Sequence, residues 1–186
     1  MPASATRYDP VAIFLHWSIA LMILLMLPMG FLMEDAPSSL KPLIYNLHKS
    51  IGLTIIALSL FRIVWRLLNP PPALPDSMPR SQKILAHAAH WALYAFIIGM
   101  PLSGWLMVSA TAKYPIDFFG LGIAPFLPMP HLEDAKATGH MLTEWHESIA
   151  YGGIALLVVH IGAALKHHFV AHDGILQRML PLRPKK

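Results

Sequence analysis

Residues 10–33 read PVAIFLHWSIALMILLMLPMGFLM and contain no Asp, Glu, Lys or Arg, while Asp9 and Glu34 bound the stretch on either side. A helix that crosses a bilayer needs roughly 20 consecutive apolar residues, and this stretch is longer than that. It also exceeds the apolar core of a signal peptide and lacks the small-residue cleavage site that follows one. We therefore expect a membrane-spanning helix that is kept in the mature protein.

Three further stretches have the same character. Residues 84–112 and 148–165 are free of charged side chains, and residues 43–68 are apolar through their middle, with Lys49 and Arg62 towards the ends. The predicted helices cover about 10–33, 43–68, 82–110 and 141–170. Only 13% of all residues are charged, fewer than a soluble domain of this size needs. The predicted fold class is all-α, an integral membrane four-helix bundle in which residues 1–186 form a single membrane domain.

Most lysines and arginines fall on one side of the predicted helices, and loops rich in these residues stay in the cytoplasm. With the N-terminus inside, the inner side carries Arg7, Arg62, Arg66, Arg80, Lys83, Lys166, Arg178, Arg183, Lys185 and Lys186. The outer side carries Lys41, Lys49, Lys113 and Lys136 against Glu34, Asp35, Asp117, Glu133, Asp134, Glu144 and Glu147. Both termini are therefore expected in the cytoplasm, and the net charge of +4 reflects topology rather than nucleic-acid binding.

The chain has no cysteine but 11 histidines, an unusual number for so apolar a sequence. The absence of cysteine excludes disulfides, thiolate-ligated haem, cysteine-bound iron–sulfur clusters and covalent c-type haem. Four histidines fall within the predicted helices or their first turns: His16, His48, His146 and His160. A lone histidine there can be a structural residue bonded to a neighbouring helix, but burying an imidazole in lipid is costly enough to make each a functional candidate.

The spacing of these histidines groups them into two pairs. His146 and His160 are 14 positions apart, which at about 100° per residue places them within roughly 40° of one another on one helix face. At about 1.5 Å per residue they lie roughly 21 Å apart along the axis, one near each membrane surface. The first helix runs outward, so His16 lies level with His160 on the inner side. The second runs back, so His48 lies level with His146 on the outer side.

Two neutral imidazoles at one depth in an apolar bundle suit the iron of a six-coordinate b-type haem. Both axial positions are then closed to substrates, so such an iron carries electrons, and two haems connect the two membrane faces. Glycines within two turns of the histidines favour either close approach of a porphyrin or tight helix packing: Gly52, Gly152, Gly153 and Gly162. A divalent-metal transporter could use the same histidines, but no acidic residue lies deep in a predicted helix, which counts against it.

Several short motifs resemble the bacterial cytochrome b561 family, and together they extend from about residue 8 to about residue 183. This family is related to the membrane cytochrome subunits of nickel–iron hydrogenases. The motifs are LHW at 15–17, NLHKSIG at 46–52, LAHAAH at 85–90, WHE at 145–147, and VH at 159–160 followed by HH at 167–168. The resemblance implies a multi-pass protein of the bacterial inner membrane with two haems b. It also implies that the axial ligands are His16, His48, His146 and His160, the same set that depth and spacing select.

Other polar residues near the inner ends of the helices are candidates for contacts with a haem propionate or a quinone. In the superoxide-oxidising branch of the family the quinone lies near the cytoplasmic end of the fourth helix, so the resemblance makes His167 and His168 a candidate quinone site. A basic interfacial helix end is the alternative. Arg62 and Arg66 share a helix face and either neutralise haem propionates or anchor the inner side.

Two histidines open the third helix. His87 and His90 share a face and have the spacing of a metal-ligand pair. The resemblance assigns this helix no haem ligand. We interpret both as polar partners of a propionate or a quinone, with interfacial residues as the alternative.

The function predicted from these observations is electron transfer across the inner membrane, between a periplasmic donor and ubiquinone, by a quinone-linked oxidoreductase. Superoxide is one candidate donor, although an anion is collected best by a positive surface and the outer side here is negative. Membrane lipid and quinone are the expected partners, and no catalytic residue is assigned. One alternative is a cytochrome b anchor subunit of a hydrogenase or dehydrogenase, with the loop at 111–139 as its docking surface. The other is the metal transporter.

Overall fold

The computed structural model describes residues 7–111, 116–123 and 135–181. Within these ranges the protein is all-helical, with four long helices: α1 (Pro10–Leu32), α2 (Lys41–Leu68), α3 (Arg80–Thr111) and α4 (Ala135–Lys166). All four are long and apolar enough to cross a membrane. The predicted fold class, a four-helix membrane bundle, is therefore confirmed. Much of the predicted docking loop (112–115 and 124–134) and the basic residues Arg183, Lys185 and Lys186 lie outside the described residues.

Local sequence explains where the helices begin and end. The Asp9 side chain accepts a hydrogen bond from the backbone N–H of Ala12 at 3.0 Å, and Pro10 fills the first helical position, where no N–H is needed. The prolines from residue 70 onward stop α2 at Leu68. Helix α4 begins at Ala135, more than a turn before the predicted start, because its polar first turns extend beyond the apolar stretch that reveals a span.

The helices pack in chain order, α1 against α2, α2 against α3, and α3 against α4. At the centre lie Ile19, Ile23, Ile55 and Phe96. Many large apolar side chains point away from the bundle instead, among them Phe14, Leu21, Leu24, Leu60, Val158 and Val159. An exposed apolar belt of this size is expected where lipid, rather than water, surrounds the protein.

Two short segments cover the ends of the bundle. On the side of the α2 N-terminus, the Asn46 side chain bonds both the carbonyl and the N–H of Asp117, at 2.6 and 3.1 Å, and the N–H of Phe119 donates to the Ser50 hydroxyl at 3.0 Å. At the opposite end, the C-terminal residues return to the start of α1, where Trp17 donates to the Met179 carbonyl at 2.8 Å. Each end of the bundle is thus held by contacts between residues distant in sequence.

Candidate cofactor sites between the helices

The structure brings the four singled-out histidines together as two pairs. The ring centroids of His48 on α2 and His146 on α4 are 6.3 Å apart, with the planes at 73°. The ring centroids of His16 on α1 and His160 on α4 are also 6.3 Å apart, with the planes at 68°. All four side chains are partly buried. Helix α4 therefore contributes one imidazole to each pair, and the two pairs lie towards opposite ends of the bundle. After the topology predicted from the sequence, His48 and His146 are called the outer pair and His16 and His160 the inner pair.

These separations fit a metal ion held between two imidazoles. A metal–imidazole nitrogen bond is about 2 Å, and a ring nitrogen lies about 1.1 Å from the centre of a five-membered ring of such bond lengths. Two rings on opposite sides of one iron therefore have centroids about 6.3 Å apart. The rotation of each ring about the ligand axis is free, so the observed angles between the ring planes agree with axial ligation.

A cavity of about 1230 Å³ surrounds the outer pair. This volume exceeds the 300–1,000 Å³ that is common for cofactor pockets. Its walls are largely apolar, with Ile23, Phe96 and Pro101 among the lining residues. Charged and polar side chains also line it, namely Glu34, Lys49, His140 and Glu147. A large apolar cavity that contains two facing imidazoles fits a porphyrin.

Two glycines that the sequence did not single out lie against the outer pair. A Cβ atom at Gly104 would lie 2.9 Å from Cε1 of His146, and one at Gly30 would lie 3.4 Å from Cε1 of His48. The first distance is too short for any side chain to be tolerated without movement of the imidazole. Hydropathy cannot reveal this requirement, because it arises from contact between different helices.

The glycines that the sequence did single out have other surroundings. Gly52 lines the outer cavity, and a Cβ atom at this position would lie 3.6 Å from Cβ of Pro101. Gly153 is a packing residue, because a Cβ there would lie 1.9 Å from the Phe96 ring. No atom lies within 4 Å of a Cβ built at Gly152 or Gly162. Close helix packing therefore explains Gly153, and of these four glycines Gly52 alone borders the cavity.

One ligand candidate of the outer pair is oriented by a neighbouring hydroxyl. Ser103 is 7% exposed and its Oγ lies 2.8 Å from Nδ1 of His146. The same hydroxyl donates its hydrogen to the carbonyl of Met100 at 2.7 Å. The Nδ1 atom of His48 is buried without a hydrogen-bond partner among the described residues. Orientation of a metal-binding histidine through its second nitrogen is the usual arrangement in metal sites.

The inner pair has basic and aromatic neighbours. Arg62 on α2 donates to the carbonyl of Ala12 at 3.0 Å and lies close enough to interact electrostatically with His16 and His160. The Arg66 guanidinium lies 5.8 Å from the centroid of the Tyr94 ring. Arg62 thus holds α2 against α1 at the level of the inner pair, while Arg66 holds α2 against α3. Their role as propionate partners stays a prediction.

The two histidines that open α3 lie in different surroundings. His90 is partly buried, and its ring centroid is 6.0 Å from that of His160. His87, one turn earlier, is exposed. Because His87 is exposed and His90 is partly buried, the two side chains are not placed to act together as a metal-ligand pair.

The histidines that follow α4 lie in a single π-helical turn, His167–Ala171. Nδ1 of His167 is 2.5 Å from a carboxylate oxygen of Asp173, and the other oxygen accepts the N–H of Ile175 at 3.1 Å. His168 is held separately, with its Nδ1 2.9 Å from the Gln177 amide nitrogen. Turns of this kind are frequent at functional sites. The sequence analysis missed Asp173, and its only signal is an acid placed shortly after two histidines.

Comparison with known proteins identifies the family of this chain. The family model described as prokaryotic cytochrome b561 matches residues 7–182. The chain belongs to this family. It is 34% identical over 180 residues to "Cytochrome b561 homolog 2" of Escherichia coli (strain K12), covering 94% of this chain and 91% of that protein. It is 31% identical over 177 residues to "Probable superoxide oxidase CybB" of Yersinia pestis, covering 94% of this chain and 96% of that protein.

Membership of the prokaryotic cytochrome b561 family confirms the resemblance read from the motifs. The family implies haem b as cofactor and electron transport as the general activity. Together with the four spans it makes this chain a multi-pass protein of the bacterial inner membrane, surrounded by lipid. The two histidine pairs fit that cofactor by their separation, by the outer cavity and by the glycine at position 104, which leaves space for His146.

Proposed function

We propose that this chain is a di-haem b-type cytochrome that passes electrons across the inner membrane between a donor on the outer side and ubiquinone on the inner side. His48 and His146 would hold the outer haem, and His16 and His160 the inner one. The observation that carries the proposal is the equal separation of the two pairs, 6.3 Å, in a family that implies haem b. Both termini would lie in the cytoplasm, in keeping with the basic inner side.

A bound haem supplies reversible one-electron chemistry at its iron. The protein would hold each haem iron with two imidazoles, His48 with His146 and His16 with His160, and this would leave no position on the metal for a substrate. Ser103 keeps His146 in one orientation by accepting a hydrogen bond from Nδ1–H, which leaves Nε2 free to act as ligand. Along α4 the two ligand candidates are roughly 21 Å apart, so the two proposed haem sites would lie one above the other within a single bundle.

The inner end of α4 is the proposed quinone site. Reduction of a quinone to a quinol takes up two electrons and two protons, and a histidine can supply protons at neutral pH. The carboxylate of Asp173 fixes Nδ1 of His167 and leaves Nε2 directed elsewhere. His168 is fixed in the same turn by Gln177. The pair of oriented imidazoles at the basic end of the bundle supports quinone reduction on the inner side.

The charged side chains around the outer pair bear on which molecule can donate electrons there. The cavity around the outer pair is lined by Glu34 and Glu147 against Lys49. One relative is named a probable superoxide oxidase, which makes superoxide a candidate donor. If superoxide is the donor, negative side chains repel it and the second-order rate should rise with ionic strength as they are screened. If the donor is a basic protein, including a hydrogenase or dehydrogenase partner, the rate should fall with ionic strength.

The direct test is a reduced-minus-oxidised optical spectrum with pyridine-haemochrome quantitation. The wild type should carry two non-covalent haems b per chain. His48→Ala and His160→Ala should each lose a different one, and His87→Ala should lose neither, because His87 is exposed and lies outside both pairs. A folded wild-type protein that takes up no haem when haem is supplied would contradict the proposal and favour metal transport by the same histidines.

A further inference from the structure

The inner pair has a third imidazole at ligand distance. The ring centroid of His160 is 6.3 Å from that of His16 on α1 and 6.0 Å from that of His90 on α3. The angles between the planes are also close, 68° and 65°. No hydrogen bond or ion pair to His90 is present among residues 7–111, 116–123 and 135–181. His160 therefore faces two partly buried imidazoles from two different helices.

A single iron atom can use only one of these two neighbours. Axial ligands lie on opposite sides of the metal, so the iron bound to His160 lies on a line to His16 or on a line to His90. Both separations are within a few tenths of an ångström of the value of about 6.3 Å that two metal–nitrogen bonds require. Neither the centroid distance nor the angle between the ring planes distinguishes the two partners of His160.

The surroundings of His90 give it no other stabilising partner. The charged side chains that reach it electrostatically are Arg62 and Arg66, both cationic, and the nearby titratable groups are His16, His87 and His160. No carboxylate contacts it among the described residues. A neutral imidazole has one nitrogen with a free lone pair, and haem iron is a metal that accepts such a lone pair.

We propose that His90 is a reserve axial ligand of the inner haem, able to replace His16 opposite His160. This inference rests on the proposed function, because it requires a haem at the inner pair. It assigns distinct roles to the histidines of α3: His90 is available to the metal, whereas the exposed His87 is not. It also makes His160 the ligand that the inner haem cannot lose.

The test compares His16→Ala, His90→Ala, the double variant His16→Ala/His90→Ala, and the matched control His16→Ala/His87→Ala. Electron paramagnetic resonance and haem quantitation report spin state and stoichiometry without any assay of activity. We expect His16→Ala and the His87 control to retain two low-spin haems per chain, with a shifted signal from the inner one. The double variant should retain one low-spin haem, the inner one becoming high-spin or being lost.

The opposite results overturn the inference. A high-spin or missing inner haem in His16→Ala alone, with the outer haem present as evidence of folding, means that His90 does not ligate. A wild type without two haems would instead refute the proposed function itself. If His16→Ala does not fold, His16→Gly prepared with free imidazole serves in its place. When the imidazole is removed, the inner haem of His16→Gly should stay low-spin, and that of His16→Gly/His90→Ala should become high-spin. A high-spin inner haem in His16→Gly alone refutes the proposal.

Discussion

The hydroxyl of Ser103 on α3 lies 2.8 Å from Nδ1 of His146 on α4, and its only hydrogen is donated to the carbonyl of Met100. With that hydrogen directed to Met100, the oxygen accepts from Nδ1–H, and this tautomer of the imidazole leaves Nε2 unprotonated. In the neutral imidazole, the unprotonated nitrogen is the one that binds a metal. One buried hydroxyl thus sets both the orientation and the protonation pattern of a ligand candidate on the neighbouring helix.

Replacement of Ser103 by alanine should weaken haem binding at the outer site. Loss of a partner of this kind typically lowers metal affinity 10- to 100-fold, by about 1.4 to 2.8 kcal/mol. Titration of the haem-free protein with haem should show a weakened outer site and an unchanged inner site. Ser148→Ala is the control, since Ser148 on α4 is exposed and bonds only the Glu144 carbonyl in its own helix. Equal affinities in the two variants would show that Ser103 does not orient the ligand.

Gly104→Ala should disturb the outer site by direct contact. The new Cβ would lie 2.9 Å from Cε1 of His146, so the imidazole must move out of its present position opposite His48. Overpacking of this kind costs about 1–3 kcal/mol. We expect the outer haem to be lost or to become high-spin while the inner haem is retained. Gly99→Ala, on the same helix with no atom within 4 Å of its Cβ, should leave both haems intact.

Gly153→Ala should destabilise the bundle rather than one site. Its Cβ would lie 1.9 Å from the ring of Phe96, which is 6% exposed and belongs to the central cluster. Separation of α3 from α4 by this contact should cost about 1–3 kcal/mol or more. The Tm in detergent, followed by the fluorescence of the five tryptophans, should fall by several degrees. Gly152→Ala, where no atom is within 4 Å, should not lower the Tm.

Asp173→Asn should slow quinone reduction without loss of haem. The substitution removes the negative charge that holds Nδ1 of His167 at 2.5 Å, and with it the orientation of the proposed proton donor. General acid catalysis by a positioned side chain contributes about 10²–10⁴-fold, so a loss of at least tenfold is expected. The rate of oxidation of the pre-reduced protein by a ubiquinone analogue measures it. Asp76→Asn, in the exposed α2–α3 connection, should react at the wild-type rate.

The sequence predicts most of the fold because lipid imposes a simple rule. Every backbone polar group in the bilayer needs an internal partner, so each long apolar stretch becomes a helix. The grouping of the histidines followed from the same regularity, since helix direction and rise fix the depth of His16, His48, His146 and His160. The depth of a residue in the membrane depends only on its position along its own helix, so it can be predicted from the sequence of that helix.

Contacts between helices were not predictable in this way. Ser103, Gly104 and His90 all lie on α3, and their importance depends on how that helix is rotated about its axis towards α4. Helix α3 is apolar on most sides, so hydropathy does not define its rotation. The i, i+3 spacing of His87 and His90 suggested a shared role, yet one side chain is exposed and the other faces His160. Asp173 was missed because it acts through a turn that no pattern in the sequence indicates.

The contribution of α4 to both histidine pairs has a consequence for biosynthesis. Helices leave the ribosome in chain order, so α1, α2 and α3 enter the membrane while His16 and His48 still lack the imidazoles that face them. Neither site exists until the fourth segment has been inserted. On the proposed ligand assignment, haem would therefore be loaded only after α4 is in place, and a nascent chain arrested before α4 would remain in the membrane as apoprotein.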